Sequence, residues 1–150
     1  MRRRDALALL GAGGFGVKTG DRPPGLRRFG ADMDAAGTIE VHRHNLSALM
    51  IPDPAKVDDL AVYLQIENTR RARVRAGGIP ASDTLLRALP DVKARIHGIW
   101  GRRDSMSGRQ IDDLAAALRR LQPDLDFRAI DGAGHWTPYE AFEAVNATLL

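Results

Sequence analysis

The chain contains no cysteine, which removes disulfides, thiolate nucleophiles and cysteine-based zinc sites and fits a reducing cytosol. No apolar stretch approaches the roughly 20 residues of a membrane-spanning helix. The start comes nearest to a targeting signal: Met1-Arg2-Arg3-Arg4 followed by Ala6-Leu7-Ala8-Leu9-Leu10 imitates a secretory leader, but Asp5 interrupts it and the apolar run ends at Gly11. A soluble, cytoplasmic protein without a membrane partner is expected. Aromatic residues are scarce, at 5%, and they do not alternate with the arginine clusters Arg2-Arg3-Arg4, Arg27-Arg28 and Arg70-Arg71-Ala72-Arg73-Val74-Arg75. Such clusters read as solvated faces, so no nucleic-acid partner is expected. Charge of one sign is lacking too: 22 Lys plus Arg stand against 19 Asp plus Glu.

What is present suits one globular domain, since 150 residues can bury a sizeable core. The continuous apolar run Ala6–Leu10, closed by Gly11, predicts a strand buried on both faces, as in a parallel sheet. Gly20, Pro23, Pro24 and Gly25 predict a loop from Val17 to about Phe29. The middle is helical in character. Asp53-Pro54 predicts a helix start, with a carboxylate to cap free N–H groups and a proline where its missing donor costs nothing; Val57, Leu60, Ala61 and Leu64 carry this helix to about Arg71. A short helix follows from Ser82-Asp83 through Leu85, Leu86 and Leu89 to Pro90.

The tail has a different rhythm. A strand is predicted from Ala94 to Trp100, a helix with Ile111, Leu114, Ala115, Leu118 and Leu121 on one face ends before Pro123, and another strand covers Phe127-Arg128-Ala129-Ile130. Phe142, Val145 and Leu149 mark one face of a closing helix. Strand, helix, strand, helix implies parallel strands joined by a crossover helix. The expected class is α/β, with a short parallel sheet of about three strands.

Several motifs compete for function. Gly11-Ala12-Gly13-Gly14-Phe15-Gly16 matches G-x-G-x-x-G after a strand, but a dinucleotide site needs a helix N-terminus next, and Val17-Lys18-Thr19-Gly20-Asp21-Arg22-Pro23-Pro24 cannot be that helix. His42 and His44 lack a carboxylate or cysteine set to complete a metal site, so they read as surface or interfacial histidines. His97, inside a strand pattern, reads as a hydrogen-bonded core histidine. Neither cofactor nor metal is expected.

Asp104 and His135 stand apart. Each lies just past the C-terminal end of a predicted parallel strand, where α/β folds place their ligand crevice. A histidine there can serve as general base and then acid, because its unperturbed pKa of roughly 6.5 lets it move a proton near neutrality. A carboxylate beside it would hold the tautomer and stabilise the imidazolium.

With these residues in view, residues 96–150 resemble the C-terminal part of α/β-hydrolases. Ile99-Trp100-Gly101-Arg102-Arg103-Asp104 looks like the strand and loop bearing the triad acid, and Ile130-Asp131-Gly132-Ala133-Gly134-His135-Trp136 like those bearing the catalytic histidine, in the family's order. Residues 7–16 are similar to the strand before the family's lid. The resemblance implies a core strand and Gly-rich turn in residues 1–16, a helical lid in 17–92 and a C-terminal core in 93–150. The Gly-rich turn and Gly134-His135-Trp136 look most like the carbon-carbon bond hydrolases of aromatic-ring cleavage products. There a lid-helix arginine helps bind an acidic substrate, where this chain has Gln65, with Arg70 and Arg71 nearby. The resemblance thus implies a small, largely apolar substrate, held by Trp136 and Gln65 beside His135.

The family's nucleophile elbow, G-x-S-x-G, is absent: Ser47, Ser82, Ser105 and Ser107 lie in other contexts. The loop giving half the oxyanion hole, a feature worth ~3 kcal/mol or more of transition-state stabilisation, is missing as well. The expectation is a hydrolase's lid and C-terminal portion, inactive alone, whose elbow would precede Met1. The strand at Ala6–Leu10 would pair with the strand near Ile99 and expose its other edge, a site for self-association. Two rivals are a non-catalytic binding or interaction module derived from a hydrolase, and a nucleotide-binding oxidoreductase fragment using Gly11, Gly13 and Gly16.

Overall fold

In the computed structural model, three strands form one parallel sheet: β1 (Ala6–Leu10), β2 (Arg95–Gly101) and β3 (Asp126–Ile130), in the order β1-β2-β3. The structure describes residues 6–16, 25–73, 78–107 and 111–150. The basic start, residues 17–24 of the predicted loop, and Arg75 lie outside the described residues. Leu7 pairs with Ile96 and Leu9 with Gly98, while Gly98 pairs with Phe127 and Trp100 with Ala129. Parallel neighbours need crossovers. Among the described residues, three helices, α1 (Ala35–Leu49), α2 (Asp59–Arg71) and α3 (Thr84–Ala88), lie between β1 and β2; α4 (Ile111–Leu121) joins β2 to β3, and α5 (Thr137–Glu140) and α6 (Phe142–Leu149) follow β3. The architecture is the expected α/β one.

The core forms where the sequence periods agree. Ile111, Leu114, Ala115 and Leu118 make the buried stripe of α4 and pack with Leu9, Ile96, Trp100 and Phe127 on one face of the sheet. Each leucine, isoleucine or phenylalanine among them, fully buried, is worth ~1.5–3 kcal/mol. Asp112 and Asp113 open this helix and Arg119 and Arg120 end it, charges that complement its dipole. The indole of Trp100 stacks on Phe127 at 5.0 Å.

Four expectations are corrected. In β1 only one face is covered: Leu9 is buried and Leu7 half-buried, while Ala6, Ala8 and Leu10 are exposed. Among the described residues nothing pairs with the outer edge of β1. The helix predicted from Asp53 starts at Asp59 instead. Asp53 caps a separate 3-10 turn, Pro54–Lys56, through Ala55 N–H; the chain turns at Val57, and Asp58 caps α2 by accepting Ala61 N–H at 2.8 Å. The short third helix ends at Ala88, with a 3-10 turn Leu89–Asp91 after it. The closing helix is broken at Ala141, and of its predicted face only Val145 is buried; Phe142 is 59% exposed and Leu149 44%.

A second apolar cluster, Leu46, Ile51, Val57, Ala61 and Val62, packs with Trp136 and Tyr139. It joins α1, α2 and the stretch between them to the loop that follows β3.

Candidate catalytic site

The loops leaving β2 and β3 are laced together at the C-terminal ends of two neighbouring strands. Arg102 N–H donates to Ile130 O and Arg103 N–H to Ala133 O, each at 2.9 Å. The approach is so close that a Cβ on Gly101 would lie 2.2 Å from Gly134 O. Glycine is the residue that permits it.

Asp104 ends the first loop with its side chain withdrawn from solvent. Its Oδ1 accepts Met106 N–H at 2.7 Å and Ser107 N–H at 3.4 Å; its Oδ2 accepts the Ser107 hydroxyl at 2.9 Å and lies 3.1 Å from His135 Nδ1. Burial by itself would raise the pKa of this carboxyl. The hydrogen bond and charge of His135, with Met106 N–H and the Ser107 hydroxyl, outweigh burial and leave it below the usual range.

The second loop is pinned on both sides. Gly134 N–H donates to Glu140 Oε1 at 2.8 Å, Thr137 Oγ1 to Gly134 O at 2.7 Å, and Trp136 N–H to Met50 O at 3.1 Å. Residues 49–58 press against both loops. Ser105 Oγ donates to Leu49 O at 2.6 Å, Arg103 to Pro52 O at 3.3 Å, Lys56 Nζ to Glu140 O at 2.9 Å, and Tyr139 OH to Asp58 Oδ1 at 2.5 Å.

The His135 side chain stays about a quarter exposed and borders two cavities. One, of about 220 Å³, is lined by Gly11, Phe15, Pro80, Met106, Ser107 and Leu114; the other, of about 350 Å³, by Leu10, Leu64, Asn68, Trp136, Pro138 and Tyr139. An imidazole whose Nδ1 faces a buried carboxylate keeps Nε2 free to take a proton from a nucleophile and return it to a leaving group.

Asp104 and His135 are thus brought together, with Trp136 beside them at the second cavity. Gln65 is half-buried on α2 but lines neither cavity; Leu64 and Asn68, one helical turn apart, do. Asn68 and Glu140 were missed, although Asn68 lies three residues beyond Gln65 and shares Leu64's helix face. Of the two histidines expected at a surface or interface, His42 is buried against the Phe29 ring at 4.8 Å, where burial lowers its pKa, and His44 is half-buried with Nε2 2.7 Å from Gly25 O. Among the described residues no group of His, Cys, Asp and Glu could hold a metal ion. His97 is not hydrogen-bonded at Nδ1, which lies buried 3.7 Å from Asp126 Oδ2. In the glycine-rich turn Gly11 N–H donates to Ile99 O, Gly14 N–H to Pro80 O and Gly16 N–H to Ser82 O, which leaves these three amides unavailable to a pyrophosphate.

Three of the four serine hydroxyls are hydrogen-bond donors already: Ser82 Oγ to Ile79 O, Ser105 Oγ to Leu49 O and Ser107 Oγ to Asp104 Oδ2. Among the described residues, no helix is long and apolar enough to cross a membrane.

No protein-family model and no curated protein matches the chain. Solved structures do. A meta-cleavage product hydrolase, CumD, from Pseudomonas fluorescens IP01, solved as a serine-to-alanine variant complexed with acetates, superposes with a TM-score of 0.56 at 20% identity, covering 97% of this chain and 54% of that one. An alanine-to-valine variant of CumD gives a TM-score of 0.58 at 19% identity, again covering 97% and 54%. The 2-hydroxy-6-oxo-6-phenylhexa-2,4-dienoate hydrolase BphD from Rhodococcus sp. strain RHA1 gives 0.54 at 17% identity, covering 97% and 53%. The fold is that of the C-terminal part of an α/β-hydrolase. At these identities the likeness is one of fold, and the chain spans about half the length of the α/β-hydrolases it matches.

Proposed function

We propose that this chain carries the acid and the histidine of an α/β-hydrolase-type hydrolase. Asp104 orients and charge-balances His135, and His135 activates a serine and then water. The carrying observation is the 3.1 Å contact between His135 Nδ1 and the fully buried Asp104 Oδ2. The apolar side chains Leu10, Leu64, Trp136 and Tyr139 around the second cavity support a small, largely apolar substrate. The bond cleaved is an ester or a carbon-carbon bond, the latter supported by the fold's likeness to the two hydrolases above.

Residues 1–150 carry no G-x-S-x-G, so by themselves they provide a proton shuttle without a nucleophile or an oxyanion hole, and little turnover is expected from them alone. The decisive experiment reads the coding DNA upstream of Met1 in every frame for an apolar strand followed by G-x-S-x-G. The chain is then expressed with and without that segment and assayed on a nitrophenyl ester and on 2-hydroxy-6-oxo-6-phenylhexa-2,4-dienoate. Turnover is expected only in the longer form and should vanish in His135→Ala; turnover that survives this substitution refutes the assignment.

The alternative, a non-catalytic interaction module, draws support from the exposed Ala6, Ala8 and Leu10 of β1 together with Phe142 and Leu149. Ligand binding or co-purification without hydrolysis in both forms would favour it.

A further inference from the structure

Glu140 lies in α5, five positions beyond His135, and is buried. Its Oε1 accepts the N–H of Gly134, the residue just before the histidine, at 2.8 Å, while its Oε2 is buried without any hydrogen-bond partner. A carboxyl group held this way is costly to bury. An apolar side chain in its place would strand the Gly134 N–H instead, so the informative question is what that bond fixes. Gly134 has no side chain to restrict it, and both of its backbone polar atoms are held from α5: the N–H by Glu140 and the carbonyl by the buried Thr137 hydroxyl at 2.7 Å. Glu140 thereby holds the peptide that leads into Gly134, and Thr137 the peptide that leads from Gly134 into His135, so the two buried side chains fix the backbone on either side of Gly134. The course of that backbone aims the His135 side chain at Asp104.

We propose that Glu140 is a positioning residue for His135, holding the Gly134 peptide so that the imidazole meets Asp104. The proposal rests on the acid-histidine reading above and extends it to a third ionisable group that touches neither substrate nor reacting atoms. The charged groups facing Glu140 come from two segments: Lys56, whose Nζ also bonds the Glu140 carbonyl, and Asp53, both from the stretch before α2, and Arg103 from the loop after β2. Burial pushes the carboxyl above its ordinary range; the Gly134 N–H, Lys56 and Arg103 oppose this, and Asp53 adds to it. The anchor is therefore sensitive to pH, since the ionised carboxylate is the stronger acceptor of the Gly134 N–H.

Nuclear magnetic resonance on the 150-residue chain tests this without requiring turnover. Wild type should show a His135 Nδ1 proton protected from solvent exchange, and a Gly134 amide resonance that moves as Glu140 ionises. Glu140→Gln, which keeps an acceptor oxygen, should retain the protected proton and lose the Gly134 step. Glu140→Ala should exchange the Nδ1 proton about tenfold faster or more, the factor expected for one hydrogen bond of ordinary net strength. If Glu140→Ala does not fold, Glu140→Gln and the Gly134 titration decide alone. A folded Glu140→Ala with the wild-type exchange rate overturns the proposal, as does a Gly134 resonance indifferent to pH or a step that survives in Glu140→Gln. These results leave the acid-histidine reading intact. Absence of a protected Nδ1 proton from wild type overturns both, and Asp104→Asn is the control that assigns the signal to the pair.

Discussion

Alanine at Gly134 should be far more damaging than alanine at Gly132 or Gly78, and the size of the effect follows from what the added methyl meets. Its Cβ would lie 2.2 Å from Pro52 Cδ and 2.7 Å from Met50 O. Neither neighbour is a flexible side-chain end: one is a proline ring, the other a carbonyl that accepts Trp136 N–H. Relief requires lifting residues 50–52 off the loop, which forfeits the Trp136–Met50 bond and the Arg103–Pro52 bond, each worth ~1 kcal/mol net. Overpacking adds ~1–3 kcal/mol, while the stiffer unfolded chain returns ~0.4–1 kcal/mol. The net loss is about 3 kcal/mol, and at ~2–4 °C per kcal/mol for a chain of this length the melting temperature should fall by roughly 6–12 °C. Two controls bracket this value. Gly132 has φ +74° and open space around its Cβ position, so alanine there pays only for left-handed backbone, ~1–2 kcal/mol. Gly78, at φ −86° and equally open, should accept alanine at no cost or with a small gain. Thermal melts of the three variants should rank in that order. A Gly134→Ala protein melting within about 2 °C of Gly78→Ala would refute the packing of residues 50–52 on the histidine loop.

If the longer form turns substrate over as proposed, Asp104→Asn in it should lower kcat on the order of 10⁴-fold with little change in structure, as loss of the orienting carboxylate does in Ser-His-Asp enzymes; steady-state kinetics check this. Because the Asp104 carboxyl is depressed, its contribution to stability is present above the unfolded value of roughly 4 and is lost as pH falls through the lower folded value. The melting-temperature gap between wild type and Asp104→Asn should therefore narrow below about pH 4, and a gap that widens on acidification contradicts the pairing. Tyr139 is pushed up to about 12, by burial first and then by its bond to and the charge of Asp58. Its phenolate should appear in a spectrophotometric titration only at strongly alkaline pH, and Asp58→Asn should bring that step down. Finally, the open face and edge of β1 should drive self-association, which sedimentation would detect. Leu10→Lys, at a residue 42% exposed, should reduce association with little loss of stability; a monodisperse wild-type monomer would contradict this prediction.

Much of the sheet and its pairing was legible because period and punctuation agreed. The α4 stripe repeats at helical spacing between charges that suit its dipole, and β2 and β3 are short apolar runs on either side, so the loops bearing Asp104 and His135 could be located from sequence. Other features depend on choices that local sequence does not make. Asp53 and Asp58 are both good caps, and the earlier one opens only a turn because the chain bends at Val57, a side chain buried in the second cluster. Ala6–Leu10 is apolar at every position, so nothing in its pattern says which face is covered. His42 is buried through Phe29, thirteen residues before it in the sequence, a tertiary contact that no spacing rule reports. Gln65 and Asn68 are both plausible polar residues on one helix, and only the rotation of α2 about its axis selects Asn68. Nothing in the sequence sets Glu140 apart, because a glutamate is rarely buried and its partner is a backbone amide with no sequence signature.

Residues 49–58 also bear on how such a protein could be recombined. The carbonyls of Leu49, Met50 and Pro52 bond to the loops after β2 and β3, and the side chains of Lys56 and Asp58 to α5, which follows the second loop. Exchanging residues 17–92 for those of another protein would therefore remove the floor on which the acid and the histidine rest, along with the helices. A chimera meant to change only the walls of the second cavity should keep residues 49–58 with their own loops and make its exchange beyond Asp58, at α2, where Leu64 and Asn68 face His135 across the cavity.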